Sequence, residues 1–361
     1  MGISDSLRDK FEKFVEKHQN DIFYIIITQV DPDAIGSAFG LKSILGCLNI
    51  QSEIYYCGYF GHPQNRAIIN RYDLNARMSP IFDVDIKAVE TNNADQESRP
   101  KDQRSYIHYA LVDSSTINDG RLMQLQNAIS PRLVIDHHRG CDIPSTDDNF
   151  VLVEDVGSAC TLITELGSSL NIAFTQDDIG VMLTMGIYTD THELKASGKR
   201  DLEAFMYVKA NVADDDFQKL VKYDFPETFY ANIQTALANV TRHEDKLVSH
   251  VGYISPSEGD DLSNMSDLFI RKSGVSLVIV WGIINDKVRI SARNTNLTVP
   301  LGDFLKNRFG PKSGAKLAPD GCGEGGGIID LDLGFWIGET NKDSVLQMVT
   351  DRINELVFSP E

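Results

Sequence analysis

Leu133-Val134-Ile135-Asp136-His137-His138 is a short apolar run that stops abruptly in a carboxylate and two imidazoles. Such a run, bounded by polar residues, suits a strand covered on both faces, as in a parallel sheet. A strand of this kind delivers its polar end groups to the carboxyl edge, where open α/β sheets build their sites. The pattern recurs upstream. Ile22-Phe23-Tyr24-Ile25-Ile26-Ile27 is a longer apolar run, followed by the polar turn Thr28-Gln29-Val30-Asp31-Pro32-Asp33. Tyr106–Val112 is another, ending in Asp113-Ser114-Ser115. Three apolar strands therefore finish in acidic residues on one predicted edge.

The segments between them predict helices. Residues 4–19 place Leu7, Phe11, Phe14 and Val15 at helical spacing, and Ala34 to Leu48 is helical with small residues at its start. Further strands are expected at Ser52–Cys57 and Phe150–Val153, and helices within 62–74 and at 117–129, Ser158–Leu170, Asp177–Tyr188, 199–222 and 227–244. The polar tract 90–104 reads as an exposed loop. Beyond it, Lys246–Ile254, Ser276–Ile284 and Lys287–Ala292 predict strands, with Asn285-Asp286 as a tight turn. Asp260–Arg271, Val299–Phe309 and Asp343–Val357 predict helices, and Gly321-Cys322-Gly323-Glu324-Gly325-Gly326-Gly327 a glycine loop. The fold class is α/β: a mainly parallel N-terminal domain over 1–222, a helical connector over 223–245, and a smaller C-terminal α/β domain over 246–361.

The chain has 361 residues and a net charge of −18, which argues against broad affinity for long duplex nucleic acid. A small phosphorylated substrate remains compatible, because bound cations and a few arginines set the local field. Cys47, Cys57, Cys141, Cys160 and Cys322 are odd in number and scattered, which predicts free thiols in a reducing compartment, and so a cytoplasmic protein. No apolar run reaches the roughly 18–20 residues that cross a bilayer, so no membrane partner is expected. A homodimer is compatible with this reading, although no particular residue argues for it.

Asp31, Asp33, Asp113, Asp136, His137, His138 and Asp190 form a candidate metal set. Carboxylates and imidazoles suit Mn²⁺ best, with Mg²⁺, Fe²⁺ or Co²⁺ also admissible. Paired ions bridged by a carboxylate activate water for phosphoryl transfer. The competing plain roles are helix caps for Asp31 and Asp33, loop positions for the two histidines, a turn at His62, exposed loop for His192 and Glu193, a helix start at Asp214-Asp215-Asp216, and core packing for Phe335 and Trp336, which otherwise suit stacking on a nucleobase.

Four stretches, VDPDAIGSAFGL (30–41), ALVDSS (110–115), VIDHH (134–138) and GIYTDT (186–191), resemble the DHH phosphoesterase family. Its members include RecJ-type exonucleases, nanoRNA/pAp and cyclic-dinucleotide phosphodiesterases, exopolyphosphatases and inorganic pyrophosphatases. EDVGSACTLITEL (154–166) is similar as well. ISAR (290–293) and GCGEGGG (321–327) resemble the associated DHHA1 domain, so the likeness covers nearly the whole chain.

The resemblance implies a hydrolase that uses metal-activated water on a short oligoribonucleotide, pAp, a dinucleotide or polyphosphate, held between the two domains. It implies that Asp31 binds one ion and Asp33 the other, that Asp113 bridges them, and that His137 and Asp190 complete the second site. His138 then faces the scissile phosphate, Asp136 orients an imidazole, Arg293 binds a substrate phosphate, and the backbone at Gly325, Gly326 and Gly327 approaches the same anion. Two positions depart from the family pattern. Ile27 or Gln29 stands where a ligand histidine opens the first motif, and the glycine run carries Glu324 and no histidine. Those departures imply a weakened first metal site, and a second reading as a binding or regulatory protein on the same fold.

Overall fold

The apolar runs of the first half assemble into one parallel sheet. The computed structural model describes residues 2–58, 60, 62–118, 120–122, 130–138, 140–146, 148–174, 177–296, 298–317, 322–331 and 341–359. The chain divides into two compact units, Met1–Phe60 with Gln64–Tyr223, and Gly61–Pro63 with Asp224–Glu361.

In chain order the first unit carries α1 (Asp5–Lys17), β1 (Ile22–Ile27), α2 (Pro32–Cys47), β2 (Gln51–Tyr56), α3 (Pro63–Arg71), β3 (Ser79–Pro80), α4 (Ile86–Gln96), β4 (Ile107–Val112), β5 (Pro131–Asp136), β6 (Phe150–Val153), α5 (Ala159–Ser169), α6 (Asp177–Asp190), α7 (Lys199–Lys209) and α8 (Asp214–Val221). The strand order is β3-β2-β1-β4-β5-β6, and every pairing is parallel. Ile25, Ile27, Ala110, Val112, Leu133 and Ile135 face one core, while Ile26, Tyr109, Leu111 and Val134 face another. Burial on both faces is why these strands read as unbroken apolar runs. Each buried isoleucine, leucine or valine among them contributes about 1.5–3 kcal/mol relative to exposure. The winding reverses between β1 and β4, so their carboxyl ends flank a topological switch point, where such sheets bind ligands.

The second unit carries α9 (Glu227–Ala238), β7 (Thr241–His243), β8 (Lys246–Tyr253), α10 (Asp261–Phe269), β9 (Leu277–Ile284), β10 (Lys287–Asn294), α11 (Leu301–Phe309), β11 (Ser313–Leu317), β12 (Gly323–Asp330) and α12 (Lys342–Phe358). Its sheet runs β11-β12-β10-β9-β8-β7, antiparallel except for β8 with β9. Asn285, at φ +56°, makes the tight turn between β9 and β10.

Several sequence expectations need correction. The tract 90–104 is not all loop, because α4 runs to Gln96. This helix presents few apolar residues. Asn93 instead bonds both Ile107 N–H (2.8 Å) and Ile107 O (2.9 Å), which ties it to the start of β4. The 199–222 helix breaks between Lys209 and Asp214, and the 227–244 helix stops at Ala238, after which β7 begins. Residues 223–245, expected as a connector, therefore hold α9 and β7 of the second unit. The helix expected over 117–129 shows only a short 3₁₀ turn at Gly120–Leu122; residues 119 and 123–129 lie outside the described residues, as do Gly321, Phe335 and Trp336. No disulfide joins any of the five cysteines. Among the described residues no helix is long and apolar enough to cross a membrane.

Candidate metal centre

Each acidic residue at the carboxyl edge has a local reason for its position. Asp31 caps α2: its backbone is extended and its Oδ1 accepts from Ala34 N–H at 2.9 Å. Asp33, in the first turn of α2, is buried against the start of α5. Its Oδ1 accepts from Ser158 Oγ–H (2.5 Å) and Cys160 N–H (2.9 Å), and its Oδ2 from Ala159 N–H (2.7 Å). A helix amino end is a favourable place for that charge. Asp113 follows β4 at φ +53°, a left-handed conformation that Asp tolerates better than most residues. Asp136 ends β5, fully buried. Its Oδ1 accepts from the N–H groups of His137 (2.8 Å) and His138 (3.2 Å) and from His138 Nδ1 (2.8 Å). Burial raises the Asp136 pKa, but the hydrogen bonds from His138 and Ser115 win and hold it below the usual carboxylate range.

His137 stands at the centre. Its Nε2 lies 3.2 Å from Asp190 Oδ2, 3.3 Å from Asp113 Oδ1 and 3.7 Å from Asp33 Oδ2. Its Nδ1 is 3.1 Å from the Val156 carbonyl, which can only accept, so Nδ1 carries the hydrogen and Nε2 of the neutral ring presents a bare lone pair. Asp113 Oδ1 is buried with no hydrogen-bond partner. Carboxylate oxygens thus converge on one ring nitrogen, an arrangement that favours a cation or a protonated ring. The two shorter separations, 3.2 and 3.3 Å, are close to the edge of an octahedron with bonds of about 2.1 Å. Asp33, His137 and Asp190 lie close enough together to hold a divalent ion, Asp113 reaches the same ring nitrogen within the adjoining group Asp113, Asp136, His137 and His138, and fixing a ligand imidazole through its other nitrogen is the usual supporting contact.

The titration directions agree. Burial, then the charges of Asp33, Asp31 and Asp190, push Asp113 well up. Burial, reinforced by Asp33, pushes Asp31 up to about 6. Burial alone pulls His137 down, but Asp33 and Asp190 outweigh it and raise it. The hydrogen bond to Asp136 raises His138, whose ring is 58% exposed.

Several determinants gave little or no sequence signal. Gly186 lies one helical turn before Asp190, and a Cβ there would sit 2.4 Å from Cys160 Sγ and 3.0 Å from Asp33 Cα. At Gly36 a Cβ would sit 2.6 Å from Met182 O. The two glycines let α6 press against the start of α2, which sets Asp190 relative to Asp33. Val156 and Ser158, which hold His137 and Asp33, lie in the quoted EDVGSACTLITEL stretch, but nothing in it distinguishes them. Of the two substitutes for the family histidine, Ile27 is fully buried in β1, and exposed Gln29 has its Oε1 2.9 Å from Arg121 Nη1.

In the second unit Arg293 is 8% exposed. Its Nε donates to Asp267 Oδ1 (2.5 Å), its Nη2 to Asp267 Oδ2 (3.1 Å) and its Nη1 to Ala292 O (3.0 Å). A phosphate on Arg293 would compete with Asp267, which the sequence did not single out. Gly325–Gly327 are not in a loop. They lie within β12 between β10 and β11, where a strand's amides face its two neighbours. Cβ atoms there would meet Leu305 Cδ1 at 2.6 Å, Ile290 O at 2.5 Å and Ser313 Oγ at 2.2 Å respectively, so packing accounts for these glycines.

Comparison with known proteins places the cluster in context. Residues 23–188 match the DHH family, N-terminal domain. The uncharacterized protein MJ1633 of Methanocaldococcus jannaschii is 25% identical over 355 residues; the match spans 97% of this chain but only 66% of that protein. MJ0988 of the same organism, also uncharacterized, is 24% identical over 86% of this chain and 87% of its own length. Among solved structures, an exopolyphosphatase-related protein from Bacteroides fragilis superposes with a TM-score of 0.68 at 14% identity, covering 99% of both chains. At that identity the superposition shows a shared fold alone.

Proposed function

We propose, starting from a chain that belongs to the DHH family through residues 23–188, that it is a metal-dependent phosphoesterase acting on a short phosphorylated substrate. The observation that carries this reading is the convergence of Asp33, Asp113 and Asp190 on Nε2 of His137, with Asp113 Oδ1 buried and without a hydrogen-bond partner. Mn²⁺ is the preferred ion, with Mg²⁺ or Co²⁺ as substitutes. Bound there, a divalent ion supplies water activation and neutralises charge on the phosphoryl group.

The chain's own residues do the rest. Asp33, His137 and Asp190 make one ligand set, with Asp113 beside it as the bridge to the other side. Asp31 and Asp113 alone serve the other side, since Ile27 is core and Gln29 is engaged by Arg121. One tightly held ion is therefore expected. Asp136 holds His138 by Nδ1, which directs the other nitrogen outward, and the contact favours the doubly protonated ring, the form an acid serving the leaving oxygen needs. Arg293 is the phosphate contact of the second unit once Asp267 yields, and Gly325–Gly327 shape the strand beside it.

The substrate is a short oligoribonucleotide, pAp or a linear or cyclic dinucleotide, with polyphosphate next. The net charge of −18 disfavours long duplexes and acidic membrane surfaces. Five cysteines with no disulfide among them suit the cytoplasm, as a monomer or a homodimer. Turnover of that panel with Mn²⁺, alongside a count of bound ions, tests the proposal: nucleotide hydrolysis with one ion is expected. Tight binding of a panel member with no turnover on any would instead establish the binding-protein reading, which the engaged Gln29 favours.

A further inference from the structure

Asp201, in the first turn of α7, is 2% exposed. Its Oδ1 accepts from Gly157 N–H (2.9 Å) and Thr161 Oγ1–H (2.7 Å), and its Oδ2 from Gly198 N–H (2.8 Å). Gly157 sits between two residues that serve the cluster. Val156 offers the carbonyl that fixes His137 Nδ1. Ser158 offers the hydroxyl, and opens the α5 amides, that hold both oxygens of Asp33. A Cβ at Gly157 would lie 2.6 Å from Thr191 Cγ2 and 2.8 Å from Asp201 Oδ2, so the residue after Asp190 packs on the same turn. One short segment thus touches the supports of three of the four ligands, and one buried carboxylate holds that segment.

We infer that Asp201 is a positioning residue of the metal centre, fixing the Val156–Ser158 turn so that His137, Asp33 and Asp190 keep their mutual spacing. The inference rests on reading those residues as metal ligands. Supporting contacts of this kind typically govern metal affinity by about 10–100-fold. In Asp201→Asn one oxygen becomes an NH₂ that must face an N–H or hydroxyl donor, so the turn loses an anchor at nearly constant volume.

Calorimetric titration with Mn²⁺ alone tests this on the wild type, Asp201→Asn and Thr161→Val, with circular dichroism to confirm folding. Asp201→Asn should bind Mn²⁺ about tenfold or more weakly. Its KM at saturating Mn²⁺ should stay unchanged and its kcat recover as Mn²⁺ is raised. A merely structural role would lower the fraction of competent molecules and leave the Kd of the remainder unaltered, and that result overturns the inference. Should Asp201→Asn not fold, Thr161→Val decides: about threefold weaker binding is expected, and wild-type affinity refutes it. A wild type that binds no Mn²⁺ overturns the metal reading itself, a different outcome from a wild type and Asp201→Asn that bind equally well.

Discussion

The parallel sheet carries a cluster of carboxylate and imidazole at each edge, and the two are built oppositely. At the carboxyl edge, His137 Nε2 stands 3.2–3.7 Å from an oxygen of each of Asp190, Asp113 and Asp33. At the amino edge, Asp21 Oδ2 takes His18 Nδ1 at 2.7 Å and His108 Nε2 at 3.0 Å, and Asp21 Oδ1 accepts from Tyr106 N–H at 2.8 Å. The shorter separations are ordinary hydrogen bonds with a proton in each. That cluster is a clasp tying the end of α1 to β1 and β4, although its residue types are those of a metal site. Residue type selects both clusters; spacing separates them.

The sharpest way to break the comparison is Asp113→Asn, which keeps a residue able to adopt the left-handed backbone. Turnover should fall by about 10³-fold or more, with Mn²⁺ binding lost in the same titration. Activity within tenfold of wild type would remove Asp113 from the centre.

Next in size is stabilisation by the ion. At about 100 times its Kd, Mn²⁺ should add roughly 2.7 kcal/mol, or about 5–10 °C in Tm for a unit of this size. His108→Ala should lower the ion-free Tm yet leave the Mn²⁺ increment intact. An increment that vanished in His108→Ala would mean that the amino edge binds the ion.

The smallest effect is in the pH dependence of ion-free stability, where the edges should have opposite signs. Burial keeps His108 below its usual range despite its bond to Asp21, and the bonds from His108, His18 and Tyr106 hold Asp21 far below the carboxylate range against burial. Both groups bind more protons when unfolded. Their contribution is complete above about pH 6.5 and is lost on acidification, first through His108 and then below about pH 3.8 through Asp21. At the carboxyl edge Asp31, pushed up to about 6, binds more protons when folded. Its contribution is complete below about pH 3.8 and lost as the pH rises through 6. In EDTA, Asp31→Asn should therefore gain on the order of 1 kcal/mol over wild type between pH 5 and 8 in urea melts. An equal offset at both pH values would contradict it.

Much of this was legible in the chain. Ile22–Ile27 and the run ending at His138 announced their strands because burial on both faces leaves no alternation to misread, and strand ends mark the edge where Asp113 and Asp136 lie. What stayed hidden is what depends on contacts distant in sequence. Asp201 lies 44 residues from the Gly157 N–H that it holds, and nothing local distinguishes it from a helix-start aspartate. His192, Glu193 and Leu194 take three successive left-handed conformations just beyond Asp190, with no glycine to signal them. The glycine run misled in the other direction, because a composition that usually means a turn here fills a strand.

That strand bears on how relatives of this protein should be compared. Gly325, Gly326 and Gly327 have backbone or side-chain atoms within 2.2–2.6 Å of where their Cβ would be, and an L-residue there must move a neighbouring strand or helix. Each glycine in a strand also carries about 0.5–1 kcal/mol of extra entropy cost relative to alanine, which selection would remove if the space allowed. Invariance at these positions among homologues would therefore record the spacing of three backbones first, and should not be counted as a vote for a shared ligand. Variation at Asp267 and Arg293, where a charge pair can be exchanged without moving the sheet, is the more informative guide to what the second unit holds.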